Sequence, residues 1–115
     1  MIELTRCYRF PAAHLLARED LSQAENERLY GKCANPAGHG HNYEVEVTVE
    51  GPVDERSGLV VVRDELDAVL DRHLVSRCDH RDLDRVIGPE QVSTGENLAR
   101  IFFSWVEPHV PAPAR

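Results

Sequence analysis

Ten consecutive residues, 41–50, alternate strictly between two kinds of side chain, and this run constrains the fold more than any other part of the sequence. After His41, one parity carries Tyr43, Val45, Val47 and Val49. The other parity carries Asn42, Glu44, Glu46, Thr48 and Glu50. Successive side chains of a strand point to opposite faces, so the alternation predicts a β-strand with one apolar face and one polar face.

Residues 2–14 predict an earlier strand, because β-forming side chains recur on one parity. We expect Arg6 to interrupt the apolar face and Pro11 to end regular pairing, since proline lacks the amide hydrogen that a ladder needs. Residues 21–29 are polar and rich in glutamate, which predicts a short helix or an ordered loop. Residues 33–40 hold the glycines, proline and asparagine that favour turns.

Two later segments have apolar residues at helical spacing, which predicts two amphipathic helices. The first contains Leu66, Val69, Leu70 and Leu74, and the second contains Leu98, Ile101, Phe102, Trp105 and Val106. Ser93 and Glu96 fit the capping box S-x-x-E, in which each end satisfies a backbone donor at the start of the second helix. We expect three prolines to close that helix, namely Pro108, Pro111 and Pro113.

Length and composition indicate one ordinary globular domain over residues 1–115, with 42% hydrophobic and 29% charged residues. No apolar run is long enough to span a membrane and no secretory layout is seen, so we expect a cytoplasmic protein without a membrane partner. A net charge of −7 argues against nucleic-acid binding. This charge does not exclude a small anionic substrate, which needs only a local basic pocket. The candidate residues for such a pocket are Arg6, Arg9, Arg28 and Lys32, and the alternative for each is an ordinary solvated surface position.

Three histidines form the strongest functional pattern. His39 and His41 point to one face if the second strand extends back through Gly40, and unpaired imidazoles on an apolar face are costly. Antiparallel pairing would place the end of the first strand, His14, beside them. A catalytic zinc site uses three protein ligands and keeps one position open, so the pattern predicts zinc. Any one histidine alone is ordinarily a surface or core residue, and we interpret His73 and His109 as surface.

Other candidates are weaker. An odd number of cysteines without a signal segment favours free thiols. Cys33 lies in the loop before His39, where it could ligate the metal or act as a base, whereas a small buried hydrophobe suits Cys7 and Cys78. Asp79 could orient the imidazole of His80, and a solvated turn is the alternative. Thr94 and Glu96 could face a cleft, or could only begin the helix.

Four motifs occur in order along the chain: F-P-A-A-H at 10–14, G-K-C-A-N-P-A-G-H-G-H-N-Y at 31–43, D-H-R-D-L-D at 79–84 and S-T-G-E-N-L-A at 93–99. On these residues the chain resembles the 6-pyruvoyl-tetrahydropterin synthase / 6-carboxy-tetrahydropterin synthase family. The resemblance implies an α+β fold, the tunnelling fold, with an antiparallel sheet and two helices packed on one face. It also implies that subunits join their sheets into a barrel, as a homotrimer or a homohexamer.

The resemblance also implies a role for each candidate. The implied zinc ligands are His14, His39 and His41, and the implied catalytic residues are Cys33 as the base with Asp79 and His80 as a relay. Thr94 and Glu96 match positions that line the pterin pocket. The implied reaction is a zinc-dependent lyase reaction on 7,8-dihydroneopterin triphosphate, which gives 6-pyruvoyl-tetrahydropterin and releases triphosphate.

One departure concerns the C-terminus. The family pattern continues past the second helix with a strand pair that carries a pterin-anchoring glutamate, whereas this sequence stops at Arg115. We expect either an incomplete C-terminus or a degenerate member with zinc and little activity, and the surviving zinc, thiol and His80 positions favour the first. Two alternative functions stay open: 6-carboxy-tetrahydropterin synthase of queuosine biosynthesis, and a non-catalytic zinc or pterin-binding module. The five residues between Cys33 and His39 favour the 6-pyruvoyl branch.

Overall fold

Two long antiparallel strands form the sheet of this computed structural model, which describes residues 1–111. Strand β1 is Ile2–His14 and strand β2 is His39–Gly51. They pair along their whole length, from Ile2 opposite Gly51 to His14 opposite His39. Both predicted strands are confirmed, and β2 does extend back through Gly40. Within the described residues the sheet has these two strands.

The expectation that Pro11 ends regular pairing is wrong. Pro11 lies opposite Asn42, and β1 continues to His14. The backbone polar group of Pro11 faces away from β2: its carbonyl accepts a hydrogen bond from the amide of His80 at 2.7 Å. On that outer edge a missing amide hydrogen costs no bond to β2.

Helices follow both predicted apolar series. The first series forms a continuous helical run, from α2 (Arg63–Leu70) through a π-helical stretch (Asp71–Val75) to α3 (Ser76–Cys78). The second forms α5 (Gly95–Val106), which continues into a 3-10 turn at Glu107–His109 that contains Pro108. Pro113 lies outside the described residues. No helix in the described part of the chain is both long enough and apolar enough to cross a bilayer.

Two shorter α-helices are also present. Segment 21–29 proves helical: α1 is Gln23–Tyr30, and Ser22 and Glu25 form a capping box at its start. Helix α4, Leu83–Ile87, was not predicted from the sequence, because five residues are too few to show a helical period. Asp82 caps α4 by accepting a hydrogen bond from the amide of Asp84 at 3.0 Å.

The core lies between the inner face of the sheet and the two apolar helices. Phe10 connects these layers, because its ring stacks on Tyr43 of β2 with centroids 5.7 Å apart and meets Phe102 of α5 edge-on at 6.3 Å. The fully buried members include Leu66, Leu70, Leu74, Cys78 and Leu83. Antiparallel strands with helices on one face are the predicted α+β arrangement.

Arg6 interrupts the apolar face of β1 as expected, and its charge is paired with that of Asp67. Its guanidinium donates to both carboxylate oxygens of Asp67 on α2, at 3.2 and 2.6 Å, and the Tyr8 hydroxyl donates to the same carboxylate at 2.6 Å. Hydrogen bonds from Arg6 and then Tyr8 hold the pKa of Asp67 below its usual range. Burial and the neighbouring Asp67 raise the pKa of Tyr8 to about 12.

The outer face of the sheet is polar, and it holds one residue that the sequence misplaced. Cys7, expected to be a buried hydrophobe, is exposed because it shares its parity with Arg9, whose guanidinium pairs with the exposed Glu44 at 2.9 Å. Cys78 is buried as expected, and burial raises the pKa of its thiol to about 11. All three cysteines are free thiols, as predicted.

We expect Tyr8→Phe to lower the free energy of unfolding by about 1 kcal/mol at pH 7, because a hydrogen bond to a carboxylate is lost while the ring stays. Urea unfolding followed by circular dichroism measures this. Tyr30→Phe is the matched control, since the Tyr30 hydroxyl makes no hydrogen bond within the described residues. Equal effects of the two substitutions would contradict the role of Asp67 as acceptor.

The same cluster predicts a pH dependence. The folded-state pKa of Asp67 is lowered, so its contribution to stability is present above its unfolded pKa of about 3.9 and is lost as the pH falls through the folded value. Wild-type stability should therefore fall more steeply below pH 4 than that of Asp67→Asn. Parallel curves for the two proteins over that range would refute this.

Candidate metal centre

The register of the two strands brings the three histidines together at one end of the sheet. His14 lies directly opposite His39, and Ala12 opposite His41, on the inner face. The Nε2 atoms of His14 and His39 are 2.8 Å apart. One ring nitrogen from each of the three histidines lies within 4.8 Å of the others. The predicted convergence of His14, His39 and His41 is thus present in the structure.

The cluster is buried on one side and open on the other. His14 is 8% exposed, His39 is half-buried and His41 is exposed. Their rings meet edge to face, with centroids 4.4 Å apart for His14 and His39 and 4.6 Å apart for His39 and His41. A group bound by these nitrogens would therefore be reachable from the side of His41.

His14 is held in the tautomer that a metal ligand requires. Its Nδ1 lies 3.0 Å from the backbone carbonyl of Ser93. A carbonyl only accepts, so Nδ1 carries the hydrogen and the Nε2 lone pair points into the cluster. Ligating histidines commonly have their second nitrogen fixed in this way.

His39 fits a cation better than a simple hydrogen bond. A hydrogen bond between His39 and His14 accounts for the 2.8 Å contact, but it gives no role to His41. Burial, then the charges of His14 and His41, lower the pKa of His39. Neutral imidazoles are the form that binds metals, and three of them suit zinc.

Behind His14 lies a second layer of polar contacts that the sequence did not reveal. The Ser93 hydroxyl donates to Asp84 Oδ1 at 2.7 Å, and Asp84 Oδ2 accepts from the amide of Leu15 at 2.7 Å. Asp84 belongs to the D-H-R-D-L-D motif, but no spacing rule connects residue 84 with residues 14 and 93. The three meet only through the fold.

The capping box predicted at Ser93 and Glu96 is wrong. Thr94 is the N-cap of α5, with its side chain accepting from the amide of Asn97 at 3.2 Å. Ser93 is fully buried and its hydroxyl is used by Asp84 instead. Thr94 is half-buried and Glu96 is exposed at the first turn of α5.

Cys33 lies near the cluster on a short 3-10 helix, Gly31–Ala34. Its carbonyl accepts from the amide of Leu16 at 2.9 Å, two residues beyond His14. The side chain is half-buried. Burial, then the charges of Asp84 and Cys33, raise the pKa of Tyr43 to about 12. The Tyr43 ring packs against both His14 and His41, at 5.7 Å from each.

Asp79 and His80 form a hydrogen-bonded pair on an exposed turn beside the outer edge of β1. His80 Nδ1 lies 2.8 Å from Asp79 Oδ1, and the imidazole is 77% exposed. The backbone of His80 has a φ of 57°, which is unusual for a residue other than glycine. Its amide donates to Pro11, and the amide of Ala13 donates to Arg81, so this segment is fastened beside His14.

His109 is exposed as expected. His73 was also expected at the surface, but it is half-buried, and its ring stacks on that of His109. Their centroids are 3.7 Å apart and their planes are 1° from parallel. Burial, then His109, lower the pKa of His73. No signal in the sequence connects these two residues.

Comparison with known proteins gives a consistent result. A family model described as 6-pyruvoyl tetrahydropterin synthase matches residues 3–115. The chain is 46% identical over 98 residues to a 6-pyruvoyl tetrahydrobiopterin synthase of Drosophila melanogaster, covering 84% of this chain and 58% of that protein. It is 40% identical over 99 residues to the Homo sapiens protein of that name, covering 84% and 68%. The chain thus spans under two thirds of the Drosophila protein.

A solved structure agrees with these sequence matches. The structure of Caenorhabditis elegans 6-pyruvoyl tetrahydropterin synthase superposes with a TM-score of 0.89 and 38% sequence identity, covering 97% of this chain and 81% of that chain. A Poecilia reticulata protein named 6-pyruvoyl tetrahydrobiopterin synthase is 40% identical over 111 residues, covering 95% of this chain and 76% of that protein.

The cluster predicts that one zinc ion binds per chain and that His39 is needed for it. Replacing a ligand should cost more than the 10- to 100-fold in affinity typical of supporting residues, so we expect His39→Ala to weaken binding by over ~100-fold. Competition with a chromophoric chelator measures this. His73→Ala, a half-buried histidine outside the cluster, should bind zinc like the wild type. Equal loss in both variants would rule out the proposed site.

Proposed function

We propose, from the premise that this chain belongs to the 6-pyruvoyl tetrahydropterin synthase family, that it is a zinc-dependent carbon-oxygen lyase. The proposed substrate is 7,8-dihydroneopterin triphosphate and the proposed product is 6-pyruvoyl-tetrahydropterin. The observation that carries this proposal is the convergence of three imidazole nitrogens within 4.8 Å, with one side open.

The proposed ligands are the three histidines of the cluster, His14, His39 and His41. Three protein ligands leave a coordination position for a substrate oxygen, and the bound ion would supply Lewis-acid polarisation of the side-chain hydroxyls there. The exposed His41 leaves the approach to that position open.

Cys33 is the proposed base. A base must take its proton across a short distance, and Cys33 lies on the loop that is hydrogen-bonded to the chain just after His14. Removal of a carbon-bound proton by the Cys33 thiolate leaves electrons that expel triphosphate as its anion. Cys33 then holds the proton as a thiol until it is passed on.

Asp79 and His80 are the proposed relay. The Asp79 carboxylate accepts from His80 at 2.8 Å, which orients the ring. The backbone bond from His80 to Pro11 fixes the pair to the same strand that carries His14. In this role, His80 gives or takes a proton at a substrate that extends from the histidine cluster to the Asp79–His80 pair.

We propose that the site is completed by a second copy of the chain, in a homotrimer or homohexamer. His41 is exposed and the His80 ring is 77% exposed, and catalytic acids and bases work best where water is excluded. The proposed pterin-binding residues, Thr94 and Glu96, lie at the start of α5, next to Ser93 behind His14. A cytoplasmic location is part of the same proposal.

We expect Cys33→Ala to keep one zinc per chain and to lose product formation by about 10²- to 10⁴-fold, the range for general acid–base catalysis. Mass spectrometry of the products from 7,8-dihydroneopterin triphosphate measures this. Cys7→Ala removes an exposed thiol from the opposite face and should stay active. A wild type that binds zinc and forms no product would support a binding module instead. A 6-carboxy product would assign the chain to the queuosine branch.

A further inference from the structure

We propose that Asp84 is a positioning residue, which strengthens the Nδ1–H tautomer of His14 through the hydroxyl of Ser93. In this role Asp84 does not touch the metal or the substrate. It strengthens the preference for hydrogen on Nδ1 that the Ser93 carbonyl already gives, and so keeps Nε2 available to bind an ion. The inference rests on the proposed zinc site.

Asp84 is held by two hydrogen bonds on opposite sides of its carboxylate. Oδ2 accepts from the amide of Leu15, the residue that follows His14, at 2.7 Å. Oδ1 accepts from the hydroxyl of Ser93, also at 2.7 Å. The carboxylate therefore joins the end of β1 to the residue that contacts His14 Nδ1.

The polarity of these contacts gives the chemical argument. An ionised carboxylate only accepts, so the Ser93 hydroxyl must direct its hydrogen toward Asp84. The Ser93 Oγ then presents lone pairs to His14 Nδ1, 3.4 Å away, beside the Ser93 carbonyl at 3.0 Å. Both oxygens of Ser93 that face the ring are acceptors, which keeps the hydrogen on Nδ1.

An asparagine at position 84 would reverse this polarity without changing the size of the side chain. Its amide nitrogen can donate to Ser93 Oγ, which frees the hydroxyl to donate to His14 Nδ1. That donation competes with the Ser93 carbonyl, which still accepts from Nδ1, so a larger share of His14 carries its hydrogen on Nε2. Nε2 cannot ligate a metal while it carries the hydrogen. A merely structural Asp84 would hold Leu15 and leave the tautomer of His14 unaffected.

Asp84→Asn is the test, with Asp82→Asn as its matched control. Asp82 lies two residues before Asp84, and its replacement by asparagine removes the same charge. The Asp82 carboxylate accepts from the backbone amide of Asp84 and makes no hydrogen bond to Ser93. The ¹⁵N chemical shifts of the His14 ring, recorded in metal-free protein, report the tautomer, and chelator competition gives the zinc affinity. We expect hydrogen on Nδ1 in the wild type and in Asp82→Asn. Asp84→Asn should shift it toward Nε2 and raise the zinc Kd by about 10- to 100-fold.

Ser93→Ala tests whether Asp84 acts through the Ser93 hydroxyl. It keeps the hydrogen bond from the Leu15 amide to Asp84, so it serves as the test if Asp84→Asn does not fold. Loss of one hydrogen bond should raise the zinc Kd by about two- to tenfold. Asp84→Asn should add less in the Ser93→Ala background than in the wild type. An unchanged Kd in Ser93→Ala would overturn the proposal. So would a tautomer and Kd in Asp84→Asn that match those of Asp82→Asn. A wild type that does not bind zinc would sink the proposed zinc site, and the tautomer comparison would still decide the role of Asp84.

Discussion

The register of β1 against β2 is the constraint on which the rest of this structure depends. It sets His14 opposite His39 at the end of a 13-residue ladder. A shift of one residue would turn every side chain of a strand to the other face, and the histidines of that strand would leave the cluster. The apolar parity of β2 holds this register, because those side chains pack against the core, and the ion pair of Arg6 with Asp67 fixes β1 to α2.

Strand β1 uses its two sides for different purposes. Its inner face presents His14 to the cluster, and its outer edge accepts the segment that contains the Asp79–His80 pair and leads into α4. Pro11 helps to separate these roles, since its backbone offers only a carbonyl, which His80 uses. One candidate ligand, His14, and the candidate relay are therefore positioned by a single strand. Any movement of β1 would disturb both together.

The sequence predicted what depends on local periodicity. Both strands, the two apolar helices and the three histidines follow from alternation and spacing, because those rules depend on neighbours along the chain. The errors arose where tertiary contacts outweigh a local pattern. Ser93 fits a capping box, yet a carboxylate from another helix takes its hydroxyl. Pro11 fits a strand end, yet the outer edge tolerates it. Asp84 carried no periodic signal at all.

X-ray absorption spectroscopy of the zinc-loaded protein tests the central claim most directly, since it reads the atoms around the ion. We expect three imidazole nitrogens at about 2.0–2.1 Å with one further oxygen ligand. A sulfur ligand at about 2.3 Å would show that Cys33 binds the metal and so cannot be the free base. Fewer than three imidazole nitrogens would contradict the cluster formed by His14, His39 and His41.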